Sequence, residues 1–121
     1  MEYVLLGSFC LSLSFYLPVK GLIDMKENQF QANLIREIKT RFPGCIVMKN
    51  DSSYIQGIPD LLILYKDRWA SLEVKKDETA SHRPNQDYYV QKMDEMSYAK
   101  FIYPKNREEI LYGLEQTLLK E

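Results

Sequence analysis

Apolar positions divide the chain into segments of different period. From Glu27 to Phe42, the residues Phe30, Leu34, Ile35, Ile38 and Phe42 follow the i, i+4, i+5, i+8, i+12 spacing of one helix face, and Pro43-Gly44 stops the run. Cys45-Ile46-Val47-Met48 predicts a short strand, and Asn50 to Gly57 a polar loop. Leu61-Leu62-Ile63-Leu64-Tyr65 is apolar at every position, which suits a central strand covered by helices on both faces. Lys66-Asp67-Arg68 marks a turn, so Trp69 to Lys76 is expected to return as the second strand of a hairpin. Asp77 to Arg83 is a second polar loop. Pro84 then opens a helix at a favoured first position, with Tyr89, Val90, Met93 and Met96 as its apolar stripe. Lys100-Phe101-Ile102-Tyr103 reads as a strand ended by Pro104. Arg107 to Leu119 closes the chain as a helix with Ile110, Leu111, Leu114 and Leu118 on one side. The order α-β-β-β-α-β-α predicts a three-layer α/β domain, a central mixed sheet flanked by helices.

The first residues follow a different rule. Tyr3 to Val19 carries no charge and is rich in leucine and phenylalanine, yet falls just short of the roughly 18 to 20 residues a membrane-spanning helix needs. Glu2 and Leu17-Pro18-Val19 suit a signal peptide poorly, since neither a basic start nor a small-residue cleavage site is present. The alternation from Leu11 to Phe15 also fits a short strand. We read residues 1–24 as a hydrophobic extension upstream of a true start at Met25, rank a membrane anchor second and a secreted protein last, and take 25–121 as a single domain. At 121 residues there is room for one core only. Sixteen Lys and Arg against seventeen Asp and Glu exclude a globally basic nucleic-acid binder, though not a local basic patch. Two cysteines and one histidine are too few for a disulfide scaffold or a Cys/His zinc site, so any metal must be a hard cation on carboxylates.

Candidate chemistry gathers in the hairpin. Glu73 and Lys75 are two apart and leave one face of their strand, while Asp60 opens the facing strand. If Lys66 pairs with Trp69, Asp60 opposes Lys75; if Tyr65 pairs with Arg68, it opposes Glu73. A register whose paired residue numbers give an even sum would turn Asp60 to the other face; an odd register, or a bulge, brings two carboxylates and an ammonium to one sheet end. Carboxylates that close repel one another unless a cation sits between them, and Mg²⁺, with Mn²⁺ as substitute, suits such a pair. A lysine alongside can orient or deprotonate a water and offset developing negative charge, which is equipment for phosphodiester hydrolysis. A surface salt-bridge ladder is the plainer reading of Glu-Val-Lys. Against it, Asp60 and Glu73 interrupt otherwise apolar stretches, where charges have partners or a task.

Gly57-Ile58-Pro59-Asp60 followed by Glu73-Val74-Lys75 resembles the PD-(D/E)xK nuclease superfamily, and more narrowly the small phage-type members of the virus-type replication-repair nuclease (VRR-NUC) branch. The resemblance runs from about Glu27 to Tyr103 and includes a glutamate in the first helix, Glu27, and a glutamine after the Glu-x-Lys strand, Gln86. It implies a restriction-endonuclease-like fold in which Asp60 and Glu73 ligate the metal with the Val74 carbonyl, and Lys75 serves the attacking water. Glu27 would assist through water or a second metal, and Gln86 would position metal-bound water or the scissile phosphate. Relatives carry Ser or Thr three residues before the glutamine; Arg83 stands here, so a weaker helix cap is expected and a capping-box explanation of Gln86 loses ground. For Glu27 a capping box with Asp24 weighs equally with catalysis.

The resemblance further implies a Mg²⁺-dependent DNA endonuclease selective for branched DNA such as a Holliday junction or flap, in phage or mobile-element replication, recombination or repair, and located in the cytoplasm (the host's, if phage-encoded). Lys49, Asn50, Lys76, Arg83 and Lys92 are candidate phosphate contacts, each also explicable as ordinary solvated surface. Ser52, Ser53 and Tyr54 could hydrogen-bond a DNA backbone, though an ordinary polar loop is the better explanation of each; His82 is read as exposed and uninvolved. A domain this small offers little surface for readout, so a homodimer, or else a partner protein, is expected. No glycine-rich phosphate loop is present, and no nucleotide cofactor is expected. Two rivals stand: a non-catalytic DNA-binding module retaining the fold, and an RNA- or restriction-directed nuclease of the same superfamily.

Overall fold

The computed structural model describes the backbone of residues 19–121 and side chains from Glu27 onward, so the readings made of residues 1–18 lie outside it. Helix α1 spans Val19–Arg41, followed by strands β1 (Ile46–Lys49), β2 (Leu61–Tyr65) and β3 (Arg68–Val74), helix α2 (Gln86–Met96), strand β4 (Ala99–Ile102) and helix α3 (Arg107–Leu118). A single 3₁₀ turn, Pro104–Asn106, joins β4 to α3. The expected element order holds. The strands form one sheet in the order β1-β2-β3-β4, antiparallel across the first three and parallel between β3 and β4.

The two faces of the sheet are covered differently. Leu61, Ile63 and Tyr65 of β2, Ala70, Leu72 and Val74 of β3, and Ile102 of β4 point to one side. There they meet Leu34, Ile38 and Phe42 of α1 and Ile110, Leu111, Leu114 and Leu118 of α3, which makes one continuous apolar core. Periodicity alone predicts the inner-face position of every one of those helix residues. On the other side lies α2, packed over β3 and β4. Because it leaves β1 and much of β2 uncovered, β2 is not the doubly covered strand its all-apolar sequence predicts. Leu62 and Leu64 are only half-buried, and Ile46 and Met48 beside them are exposed. The doubly covered strand is β3, where Ser71 to Val74 are all buried.

Three local expectations are corrected. Helix α1 spans Val19–Arg41, so Asp24 is an interior helical position and not the N-cap that a capping box with Glu27 requires. Helix α2 begins at Gln86 and not at Pro84, because Asn85 takes the left-handed conformation (φ 71°) and breaks the helical path. The cap position is Asn85 and not residue 83, and Asn85 makes no side-chain cap hydrogen bond. Met96 does not join the apolar stripe; it is 67% exposed.

Candidate active site

The hairpin register decides which side chains meet. Tyr65 pairs with Arg68 and Leu61 with Leu72, so Asp60 stands opposite Glu73, one of the two alternatives the sequence leaves open. The Asp60 carboxylate (Oδ2) accepts the Val74 backbone N–H at 2.9 Å, which clips the start of β2 to the end of β3. Val74 and Leu72 face the core, so Glu73 between them must face α2. It is only 3% exposed, with Lys75 at 8% and Gln86 at 7%.

Gln86, the first residue of α2, ties these groups together. Its Nε2 donates to Glu73 Oε2 at 2.8 Å, and its Oε1 accepts from Lys75 Nζ at 2.7 Å and from the Arg83 backbone N–H at 2.8 Å. Lys75 Nζ also donates to the Ser81 carbonyl at 3.0 Å and lies 3.8 Å from Glu73 Oε2. The Ser81 contribution had no sequence signal, since a backbone carbonyl carries no residue signature. His82 is exposed and outside the cavity lining, as expected, and it stacks on Phe101 with ring centroids 4.1 Å apart and bonds Asp87 Oδ1 through Nδ1 at 2.7 Å. It thereby pins the loop that carries Ser81 and Arg83 to both β4 and α2.

A polar cavity of about 540 Å³ opens over this cluster, lined by Glu27, Asp60, Glu73, Val74, Lys75, Arg83, Gln86 and the loop residues Ser52, Ser53, Gln56, Gly57 and Ile58. The sequence-predicted site residues Glu27, Asp60, Glu73, Val74, Lys75 and Gln86 all line it. Glu27 reaches the cavity but does not complete a three-carboxylate group with Asp60 and Glu73; among the described residues no such cluster of metal-ligating side chains occurs. Of the five nucleic-acid candidates, exposed Arg83 lies on the cavity wall. Asn50 is committed to the backbone, its N–H to the Asp60 carbonyl and its Nδ2 to the Pro59 carbonyl, both at 2.8 Å. Lys49, Lys76 and Lys92 are exposed outside the lining.

The electrostatics are those of a site short of positive charge. Burial, and after it the neighbouring Asp60, push Glu73 up to about 8. Burial also raises Asp60, against the Val74 N–H and Lys75, which lower it. Glu73 Oε1 is buried and has no hydrogen-bond partner. An orphaned carboxylate oxygen beside a second carboxylate is a donor set that a hard divalent cation satisfies, so the residues present fit Mg²⁺. Among the described residues no helix is long and apolar enough to cross a membrane.

No protein-family model and no curated protein sequence matches the chain. A solved structure of a VRR_NUC domain does match it, with 27% sequence identity over 72% of this chain and 95% of that one, and a TM-score of 0.55.

Proposed function

We propose that this chain, a VRR-NUC domain and hence nuclease-type, is a Mg²⁺-dependent DNA endonuclease acting at the Asp60, Glu73 and Lys75 cluster, with Mn²⁺ able to replace Mg²⁺. The observation that carries the reading is a buried carboxylate, Glu73, facing the half-buried Asp60 and set against a buried, oriented ammonium on the wall of an open polar cavity. Structural salt bridges at a sheet end do not require an orphaned carboxylate oxygen or an opening of this size.

Asp60 and Glu73, helped by the Val74 carbonyl, would hold the cation, and Glu27 would act on it through water from its place on the cavity wall. When bound, a hard cation there supplies Lewis acidity to a phosphoryl oxygen and neutralises the charge that develops on it. The remaining work falls to the chain itself. Lys75 carries three N–H donors, two of which go to Gln86 Oε1 and the Ser81 carbonyl. These contacts aim Nζ, and the third donor serves a water at the cavity floor or offsets charge on the phosphoryl group. Gln86 keeps Glu73 and Lys75 in register by bonding both. Arg83 offers a guanidinium to a phosphate at the rim.

The expected products are 3′-hydroxyl and 5′-phosphate ends, and the expected substrate is branched DNA, a Holliday junction or a flap, in phage or mobile-element replication, recombination or repair. A homodimer would add the surface that one small domain lacks and present a second site to a second strand; sedimentation velocity checks it. The cytoplasm, that of a host if the chain is phage-encoded, is the proposed location. The test is cleavage of labelled Holliday-junction, flap, single-stranded and linear duplex DNA with Mg²⁺, Mn²⁺ or EDTA, using wild type beside Lys75→Ala. Metal-dependent cutting by wild type, reduced about 10²-fold or more in the variant, supports the reading. Binding without cutting under every metal condition overturns it in favour of a non-catalytic module.

A further inference from the structure

The loop between β1 and β2 is held far more firmly than its polar sequence requires. Asn50 ties its first residue to the Pro59 and Asp60 carbonyls. Asp51 Oδ1 accepts the Ser53 N–H at 2.9 Å and the Ser53 hydroxyl at 2.6 Å, and the Asp51 carbonyl accepts the Tyr54 N–H at 3.2 Å. The Ile58 N–H donates to the Ile55 carbonyl at 3.2 Å. At its far end Gly57, with φ +93°, packs so closely on Asn85 that an added Cβ would lie 2.6 Å from the Asn85 Cβ. Residues on both sides of Tyr54, namely Ser52, Ser53, Gln56 and Gly57, line the cavity.

At the tip of this fixed loop Tyr54 is 85% exposed, more than any other large apolar side chain left exposed among the described residues. Tyr88, the other bare tyrosine near α2's start, already has a ring partner in Tyr89 at 5.0 Å. An aromatic ring with no packing partner forgoes the burial that normally determines where such rings sit, and one held on a rigid loop loses little entropy when it finds a partner.

We propose that Tyr54 stacks on a nucleobase freed at the cleavage point and thereby selects DNA with an unstacked base. This rests on the nuclease reading and names the residue that would read an unstacked base. Any base presents a π face to an aromatic ring, so the contact is sequence-tolerant. In continuous duplex both faces of each base are covered by neighbours. Only a flap, a branch point or a single strand offers a free face to a ring carried, outside the lining itself, by a loop whose other residues line the cavity.

The test places 2-aminopurine at the first unpaired position of a flap and at the same position of a linear duplex. Binding is measured in the Asp60→Asn background, so that cleavage does not interfere, with Tyr54 intact or changed to Phe or Ala. The expected result is that Tyr54→Ala lowers the flap-to-duplex affinity ratio about tenfold and abolishes the fluorescence change on the flap, while Tyr54→Phe keeps both. An unmoved ratio in Tyr54→Ala, or an equal loss in Tyr54→Phe, overturns the stacking role. The nuclease reading fails separately: a tenfold fall in the ratio with no cutting of any substrate by wild type keeps the stacking contact and removes the catalytic assignment.

Discussion

Neutralising Asp60 and neutralising Glu73 should have different consequences, because the two carboxylates occupy their places on different terms. Asp60 is held by the Val74 N–H at 2.9 Å, a bond an asparagine oxygen can also accept. Asp60→Asn is therefore expected to fold normally while cleavage falls about a thousandfold or more, since several kcal/mol of transition-state electrostatics are lost at about 1.4 kcal/mol per decade. Circular dichroism beside single-turnover cleavage checks both halves. Glu73 has a buried oxygen without a partner and a like charge for a neighbour. Glu73→Gln removes that repulsion, so the metal-free variant should be at least as stable as wild type at about pH 8 while losing cleavage to the same degree. Retention of metal-dependent cutting by either variant would remove the site assignment. The ammonium of Lys75 does not cancel Glu73's burial, because the nearest approach is 3.8 Å and its donors point to Gln86 and Ser81.

Between elements, the tightest steric match lies where β4 passes α3. Tyr98, just before β4, donates its hydroxyl to the Ile110 carbonyl at 3.0 Å across Gly113, where an added Cβ would lie 2.3 Å from the Tyr98 oxygen. Burial, with Asp94 and Glu109 nearby, pushes the phenol up to about 12, so it remains a donor throughout the neutral range. Glycine inside a helix ordinarily costs about 1 kcal/mol relative to alanine. Here Gly113→Ala should instead destabilise by about 1 kcal/mol or more, because overpacking and the lost hydrogen bond outweigh the gain in propensity. In a Tyr98→Ala background the same change should become neutral or stabilising, a sign reversal that a double-mutant cycle of denaturation midpoints measures. None of this was legible in the sequence, where Gly113 is one residue in a regular helical stripe. What was legible followed from period: the inner faces of α1 and α3, the β2–β3 hairpin and the meeting of Asp60, Glu73 and Lys75 at one sheet end, to which the family resemblance added Gln86. The hairpin register was not fixed, because Lys66-Asp67 lacks the Asn-Gly signature of a two-residue turn, and Lys66 must take a positive φ of 59° to close it. The start of α2 was misplaced because Asn85 overrides Pro84. The uncovered half of β2 was hidden because a leucine reads the same under a helix or beside an exposed strand.

For the molecule as a whole, the carboxylate pair couples stability to pH and to metal through the same oxygens. The folded state holds the Glu73 proton up to about pH 8, whereas the unfolded chain releases it near the ordinary value of 4.5. Between those limits the folded state binds more protons, so stability falls as pH rises and this group adds no further slope above about 8. Asp60 is shifted in the same direction, with burial again the largest cause, and contributes with the same sign. A cation competes with the proton for these oxygens, and a ligand that binds only the folded state stabilises it in proportion to its free concentration over its dissociation constant. Metal-free protein should therefore melt at a lower temperature at about pH 8 than at about pH 5.5. Mg²⁺ should raise the melting temperature more at the higher pH and so narrow the gap. Glu73→Gln should flatten the metal-free profile and abolish the Mg²⁺ response together. A gap that survives both the cation and the substitution would assign the titration to other groups and would leave Asp60 and Glu73 without their role as a shared cation site.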